Sequence, residues 1–173
     1  MAIVEKSLTE MLEEIGYHPI GEKGYQILNR DDTIPNDLAE LGLSENDIDC
    51  YIASVLDSEG FVPDEIDDAT SAAISLAIGE PWEKGMFPLS VRGYEGRGGY
   101  VFSISRGGPG FDYQKLIAEV RRRLAEEGEE FEEEAHNLPN MQQILEFELA
   151  ALEASYDNNG KTVNIMIKNV IPC

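Results

Sequence analysis

Phe87-Pro88-Leu89-Ser90-Val91 and Tyr100-Val101-Phe102-Ser103-Ile104 alternate apolar and polar or bulky side chains with a period of two, and Gly93-Tyr94-Glu95-Gly96-Arg97-Gly98-Gly99 lies between them. That alternation predicts a β-hairpin, because successive side chains of a strand point to opposite faces of a sheet. Upstream the period is 3.6. Ile66, Ala69, Ala73, Ile74 and Ala77 recur at spacings of three and four between Pro63 and the Gly79 and Pro81 that end the pattern. The spacing predicts a helix that feeds the hairpin. Downstream, Gly107-Gly108-Pro109-Gly110 breaks the second strand, and Leu116, Ile117, Val120 and Leu124 restore a helical stripe.

The same reading extends to both ends. Ser7-Leu8-Thr9-Glu10 is a capping-box pattern that opens a short helix stopped by Gly16. Tyr25 to Leu28 predicts a strand and Asn29 to Asn36 a turn-prone stretch, and Ser44 opens a helix with the stripe Ile48, Tyr51, Ile52 and Val55. Asn137 and Pro139 open a last helix containing Met141, Ile144, Leu145, Leu149 and Leu152. Asp157-Asn158-Asn159-Gly160 reads as a tight turn into a closing strand from Thr162 to Ile167. The expected fold is α+β: a two-layer α/β sandwich with helices on one face of a mixed, mostly antiparallel sheet. One domain spans 1–173, with 1–43 as an N-terminal extension of helix plus strand and 44–173 as the core.

Charge narrows the function classes. The chain of 173 residues carries 34 acidic and 13 basic residues, a net charge of −21. Such a chain offers no electrostatic footprint to a phosphate backbone, which argues against nucleic acid as a partner. The surplus is uneven: residues 1–80 hold 19 acidic and 3 basic residues, whereas residues 84–123 hold 8 basic and 3 acidic ones. Residues 126–134 then carry seven glutamates and no basic residue, immediately after Arg121-Arg122-Arg123. Arginines and glutamates so placed are expected to pair along a solvated helix face, and the composition of the acidic run suggests a mobile lid. No stretch approaches a membrane span, and the N-terminus lacks the basic and apolar regions of a secretory signal, so a cytoplasmic location is expected. Cys50 reads as a small core hydrophobe, and two cysteines make neither a disulfide framework nor a zinc cluster. His18 and His136 have no partners at ligand or triad spacing.

The order of helix, hairpin, Gly108-Pro109-Gly110-Phe111-Asp112, polar lid, helix and Tyr156-to-Val163 turn resembles the histidine-kinase-like ATPase superfamily, and within it the anti-sigma-factor and serine-protein-kinase branch of bacteria. The resemblance covers residues 44–170 and implies that superfamily's sandwich of helices on a sheet. It also implies an ATP and Mg²⁺ pocket, built in the family from a helix Glu and Asn, an adenine-reading Asp, glycines and a late Thr. In this chain the glycines stand as Gly108 and Gly110 and the Thr as Thr162. The helix Glu falls on Leu76, the Mg²⁺-ligating Asn on Glu80, the Asp on Arg106, and a second glycine box on Asn137 to Asn140.

No asparagine occurs between Asn46 and Asn137 and no aspartate between Asp68 and Asp112, so a small shift of alignment restores neither ligand. A guanidinium at Arg106 has five donors and no acceptor for the adenine amino group. Glu80 alone could still hold a hard cation if ATP and Mg²⁺ were retained. Trp82 stands just past the metal-ligand position and is expected to fill the emptied cavity. The resemblance therefore implies a regulatory, degenerate kinase-like module with no cofactor and no catalytic residue. Its partner would be a protein with a basic surface met around the lid and first helices, with homodimerisation as a further option. Two alternatives are an active ATP-dependent serine-protein kinase with an unusual metal site, and an acidic scaffold protein sharing only the architecture.

Overall fold

The computed structural model describes residues 2–18, 24–30, 74, 76–78, 86 and 88–168. Helix α1 (Leu8–Glu14) begins where the sequence places it, with the Ser7 hydroxyl accepting the Glu10 amide at 3.1 Å. Strand β1 (Gly24–Arg30) follows. The hairpin is β2 (Leu89–Gly96) and β3 (Gly99–Arg106), and it is longer than the sequence predicts. Only Arg97 and Gly98 connect the strands, because Gly93 to Gly96 continue the ladder and Gly96 pairs with Gly99. Those glycines permit backbone packing that a side chain would block. A Cβ on Gly96 would lie 2.2 Å from the Ile15 carbonyl oxygen, and one on Gly99 2.0 Å from that of Ile167.

Three helices follow: α2 (Tyr113–Glu127), α3 (Glu129–Ala135) and α4 (Pro139–Leu149), the last with proline at its first position. Strand β4 (Glu153–Asp157), a single 3₁₀ turn at Asn158–Gly160 and β5 (Thr162–Lys168) end the described chain. The turn needs left-handed backbone at three successive residues, with φ of 51°, 57° and 83° at Asn158, Asn159 and Gly160. Asparagine and glycine tolerate that conformation better than other residues.

The strands form one sheet in the order β1-β2-β3-β5-β4, and each pairing is antiparallel. The sheet is thus less mixed than expected. Its parallel contact is a bridge in which the Val4 amide donates to the Ala154 carbonyl at 2.8 Å, and the Ala154 amide to that of Ala2 at 3.0 Å.

Helices also occupy both faces rather than one. Phe102, Ile104, Val163 and Ile165 join Val120, Phe131, Ile144 and Phe147 in the larger core, together with Ile74, Ala77 and Ile78 of the predicted third helix. The alternate residues Val101 and Met166 face the other way and bury Met11 and Ile15 of α1. A strand with apolar residues at both parities needs a cover on each side, which periodicity alone does not reveal. The predicted helix at 44–60, Cys50 and Cys173 lie outside the described residues.

The acidic run is helical, forming the end of α2 and most of α3. Phe131 and Ala135 are fully buried, so α3 is anchored by apolar contact despite its composition. Arg123 lies 4.6 Å over the Phe131 ring and bonds Glu127 at 2.7 Å and Glu134 at 2.5 Å, while Arg122 pairs with Glu126 at 2.8 Å. Local pairing is as expected for those two. Arg121 instead reaches Glu148 of α4 at 2.9 Å and the Ile3 carbonyl at 2.9 Å.

Candidate functional site

The two short motifs of the resemblance, Gly108 to Asp112 and Asn159 to Val163, meet in space at one end of the β3–β5 pair. The Arg106 amide donates to the Lys161 carbonyl at 2.9 Å and the Phe111 amide to that of Asn159 at 2.8 Å. One register step further along, the hydroxyls of Ser105 and Thr162 are 3.0 Å apart. Arg106, Gly108, Gly110 and Thr162 are therefore neighbours, although 56 positions separate the first from the last in sequence.

The glycines make close packing contacts. Gly110 lies against the turn: a Cβ there would approach the Asn159 carbonyl oxygen to 2.4 Å. Gly160 lies against the Phe111 ring in the same way, with a Cβ position 2.5 Å from Cδ1. Gly108 takes φ 80° and faces the Met86 side chain. Two of these glycines thus let loop pack on loop.

Arg106 closes the same loop from within. Its Nη1 donates to the carbonyls of Gly107 and Pro109, each at 3.1 Å, and contacts the Met86 sulfur at 3.2 Å. The guanidinium also sits 6.0 Å from the centroid of Phe111. Phe111 in turn packs edge-on to Tyr156 at 5.5 Å, and the Tyr156 hydroxyl donates to buried Gln143 at 2.6 Å. The charge-assisted bonds from Arg106 satisfy carbonyls that would otherwise face outward from a tight loop.

The remaining predicted positions lie elsewhere or beyond view. Leu76 is half-buried in the helical stretch whose neighbours Ala77 and Ile78 enter the core. Asn137 is exposed on the turn between α3 and α4, its amide donating to the Glu134 carbonyl. Among the described hydrogen bonds of the glycine loop neither residue takes part. Glu80 and Trp82 lie outside the described residues. His18 is exposed, and exposed His136 bonds Gln142 at 3.1 Å through Nδ1. Among the described residues no three His, Cys, Asp or Glu side chains are grouped so as to hold a metal ion. Nor is any described helix long and apolar enough to cross a membrane.

A feature that pattern reading misses is an open cleft of about 720 Å³ on the β4 edge of the sheet. Residues 3–7, one side of α2 from Tyr113 to Arg121, and Ser155 to Asp157 of β4 form its walls. Its walls come from segments as much as about 150 positions apart in sequence and carry no shared motif. Comparison with known proteins finds no matching family model, no matching curated protein and no matching solved structure.

Proposed function

We propose that this chain is a regulatory, protein-binding relative of the anti-sigma-factor and serine-kinase type of ATPase domain that no longer takes ATP. The observation that carries the reading is Arg106. At the position where the resemblance calls for an adenine-reading carboxylate stands a guanidinium, whose Nη1 donates to two carbonyls of its own glycine loop. A purine amino group needs an acceptor, and this side chain has none to offer. The packing of Gly110 on Asn159 supports the same view, since backbone lies where a nucleotide cradle would require space.

The partner is a protein with a basic surface. Acidic charge concentrates on α3, where Glu129, Glu130 and Glu133 are exposed and carry no ion pair among the described contacts. Such a field accelerates association with a cationic surface and makes it salt-sensitive. The test is a thermal-shift titration of the full chain with ATP and Mg²⁺. An unchanged Tm is the expected result. Stabilisation approaching ~2.7 kcal/mol, the value for a ligand at about 100 times its Kd, would overturn the loss of ATP binding and favour an active kinase.

A further inference from the structure

The cleft on the β4 edge forms where the N-terminal segment and β4 part company. They are joined at Ala2 to Val4 by the parallel bridge to Ala154, after which the first segment turns away to the Ser7 cap of α1 and β4 runs on to Asp157. The wedge between them is floored by α2. Its volume falls within the ~300–1,000 Å³ of ordinary binding pockets, but it is an open trough rather than an enclosed chamber. An extended segment suits that shape better than a compact metabolite.

Charge identifies the segment. Both cations in the lining are compensated by carboxylates outside it: Lys6 by Glu14 at 2.6 Å and Glu153 at 3.7 Å, and Arg121 by Glu148 at 2.9 Å. Among the described residues the lining carboxylates have no such cations. Among the described residues Glu5 has no partner, the Glu10 carboxylate accepts one hydrogen bond, from the Ser7 hydroxyl, and Asp157 caps the Asn158 amide. The trough therefore presents three uncompensated negative charges. Tyr113, whose ring stacks on Tyr156 at 5.6 Å, adds an aromatic wall suited to a guanidinium or a lysine stem.

We propose that this trough between residues 3–7, α2 and the end of β4 receives an extended, arginine- or lysine-bearing segment of the partner protein. The inference rests on the reading of the chain as a protein-binding module and names the surface that does the binding. It separates the trough from the exposed acids of α3, which lend a general field but no walls.

The test is fluorescence anisotropy of a labelled peptide alternating glycine and arginine, titrated with the full chain at low ionic strength. A triple variant Glu5→Gln, Glu10→Gln, Asp157→Asn is compared with Glu129→Gln, Glu130→Gln, Glu133→Gln, which changes the net charge by the same amount. We expect the trough variant to weaken binding about tenfold and the α3 variant by less than about twofold. Ala118→Trp, which narrows the trough from an exposed position without altering charge, should weaken binding too. Circular dichroism and Tm confirm that each variant is folded. Equal losses from both triple variants, or a peptide indifferent to the trough variants, would overturn this site while leaving a basic partner in place. A wild-type chain that ignores the peptide would overturn the basic-partner reading itself.

Discussion

Gly128 takes φ 58° and ψ −127° between α2 and α3, a combination that side chains other than hydrogen strongly disfavour. Among the described residues beyond its chain neighbours, no atom lies within 4 Å of the position a Cβ would take, so the cost of replacing it is backbone strain. Gly128→Ala should therefore lower stability by about 1–3 kcal/mol in chemical denaturation without altering the core. Gly110 is the opposite case, where φ is unremarkable and space is short. Gly110→Ala must push the Asn159 carbonyl aside, and we expect a loss of about 1–3 kcal/mol, with raised amide exchange at Phe111, whose amide bonds that carbonyl. A loss confined to Gly128→Ala would show that the two loops are not held together as described.

Among the elements, α1 is held by a ring of alternating charges as well as by Met11 and Ile15. Lys6 and Lys168 each contact Glu14 and Glu153, tying the N-terminal segment, α1, β4 and β5. Hydrogen bonds from Lys168, and then from Lys6, hold the Glu14 carboxyl below its ordinary 4.5. Hydrogen bonding to Glu14 raises Lys168 above its ordinary 10.5. A depressed carboxyl contributes stability above its unfolded pKa and loses it as pH falls through the folded value. A raised ammonium contributes below its unfolded pKa and loses it as pH rises through the folded value. The network is thus fully formed between these limits. Glu14→Gln should lower Tm at neutral pH, with the difference from wild type shrinking as pH drops below the carboxylate range. A Tm difference that persists unchanged in acid would assign the effect to packing instead. These groups are solvent-accessible, and added salt should shrink the difference as well. The Ser7 cap is a separate contribution to α1, and Ser7→Ala should cost about 0.5–2 kcal/mol in the same denaturation assay.

The molecule as a whole carries −21 charges, and Lys6, Arg121, Arg122, Arg123 and Lys168 are already committed to ion pairs. Repulsion among the remaining carboxylates opposes the compact state, so Tm should rise with moderate salt even though the α1 ring weakens. A falling Tm would mean that ion pairs outweigh the net repulsion. The order of elements was legible in the sequence because it rests on local signals. Examples are the Ser7 cap, the stripe from Leu116 to Leu124, Pro139 at a helix start and the Asn-Asn-Gly turn, each a short-range preference of backbone and rotamer. The second covered face was not legible, because period-two alternation separates the faces of a strand without saying what lies over them. The anchoring of the acidic helix by Phe131 was hidden for a related reason: one apolar residue among glutamates looks solvated until a neighbour covers it.

The glycines at 108 and 110 were readable as a loop and Arg106 as a side chain with donors only, since residue type alone decides what a side chain can donate or accept. Whether those glycines open a cradle or close a contact depends on which backbone arrives opposite them. The pairing of β3 with β5 brings Asn159 against Gly110, while the Arg106 Nη1 bonds carbonyls of its own loop. The cleft has the same origin. Its walls come from residues 3–7, 113–121 and 155–157, brought together when β4 closes the sheet edge beside the N-terminal segment. Local propensity acts over a few residues, whereas burial and charge compensation act between segments that only the folded chain brings into contact.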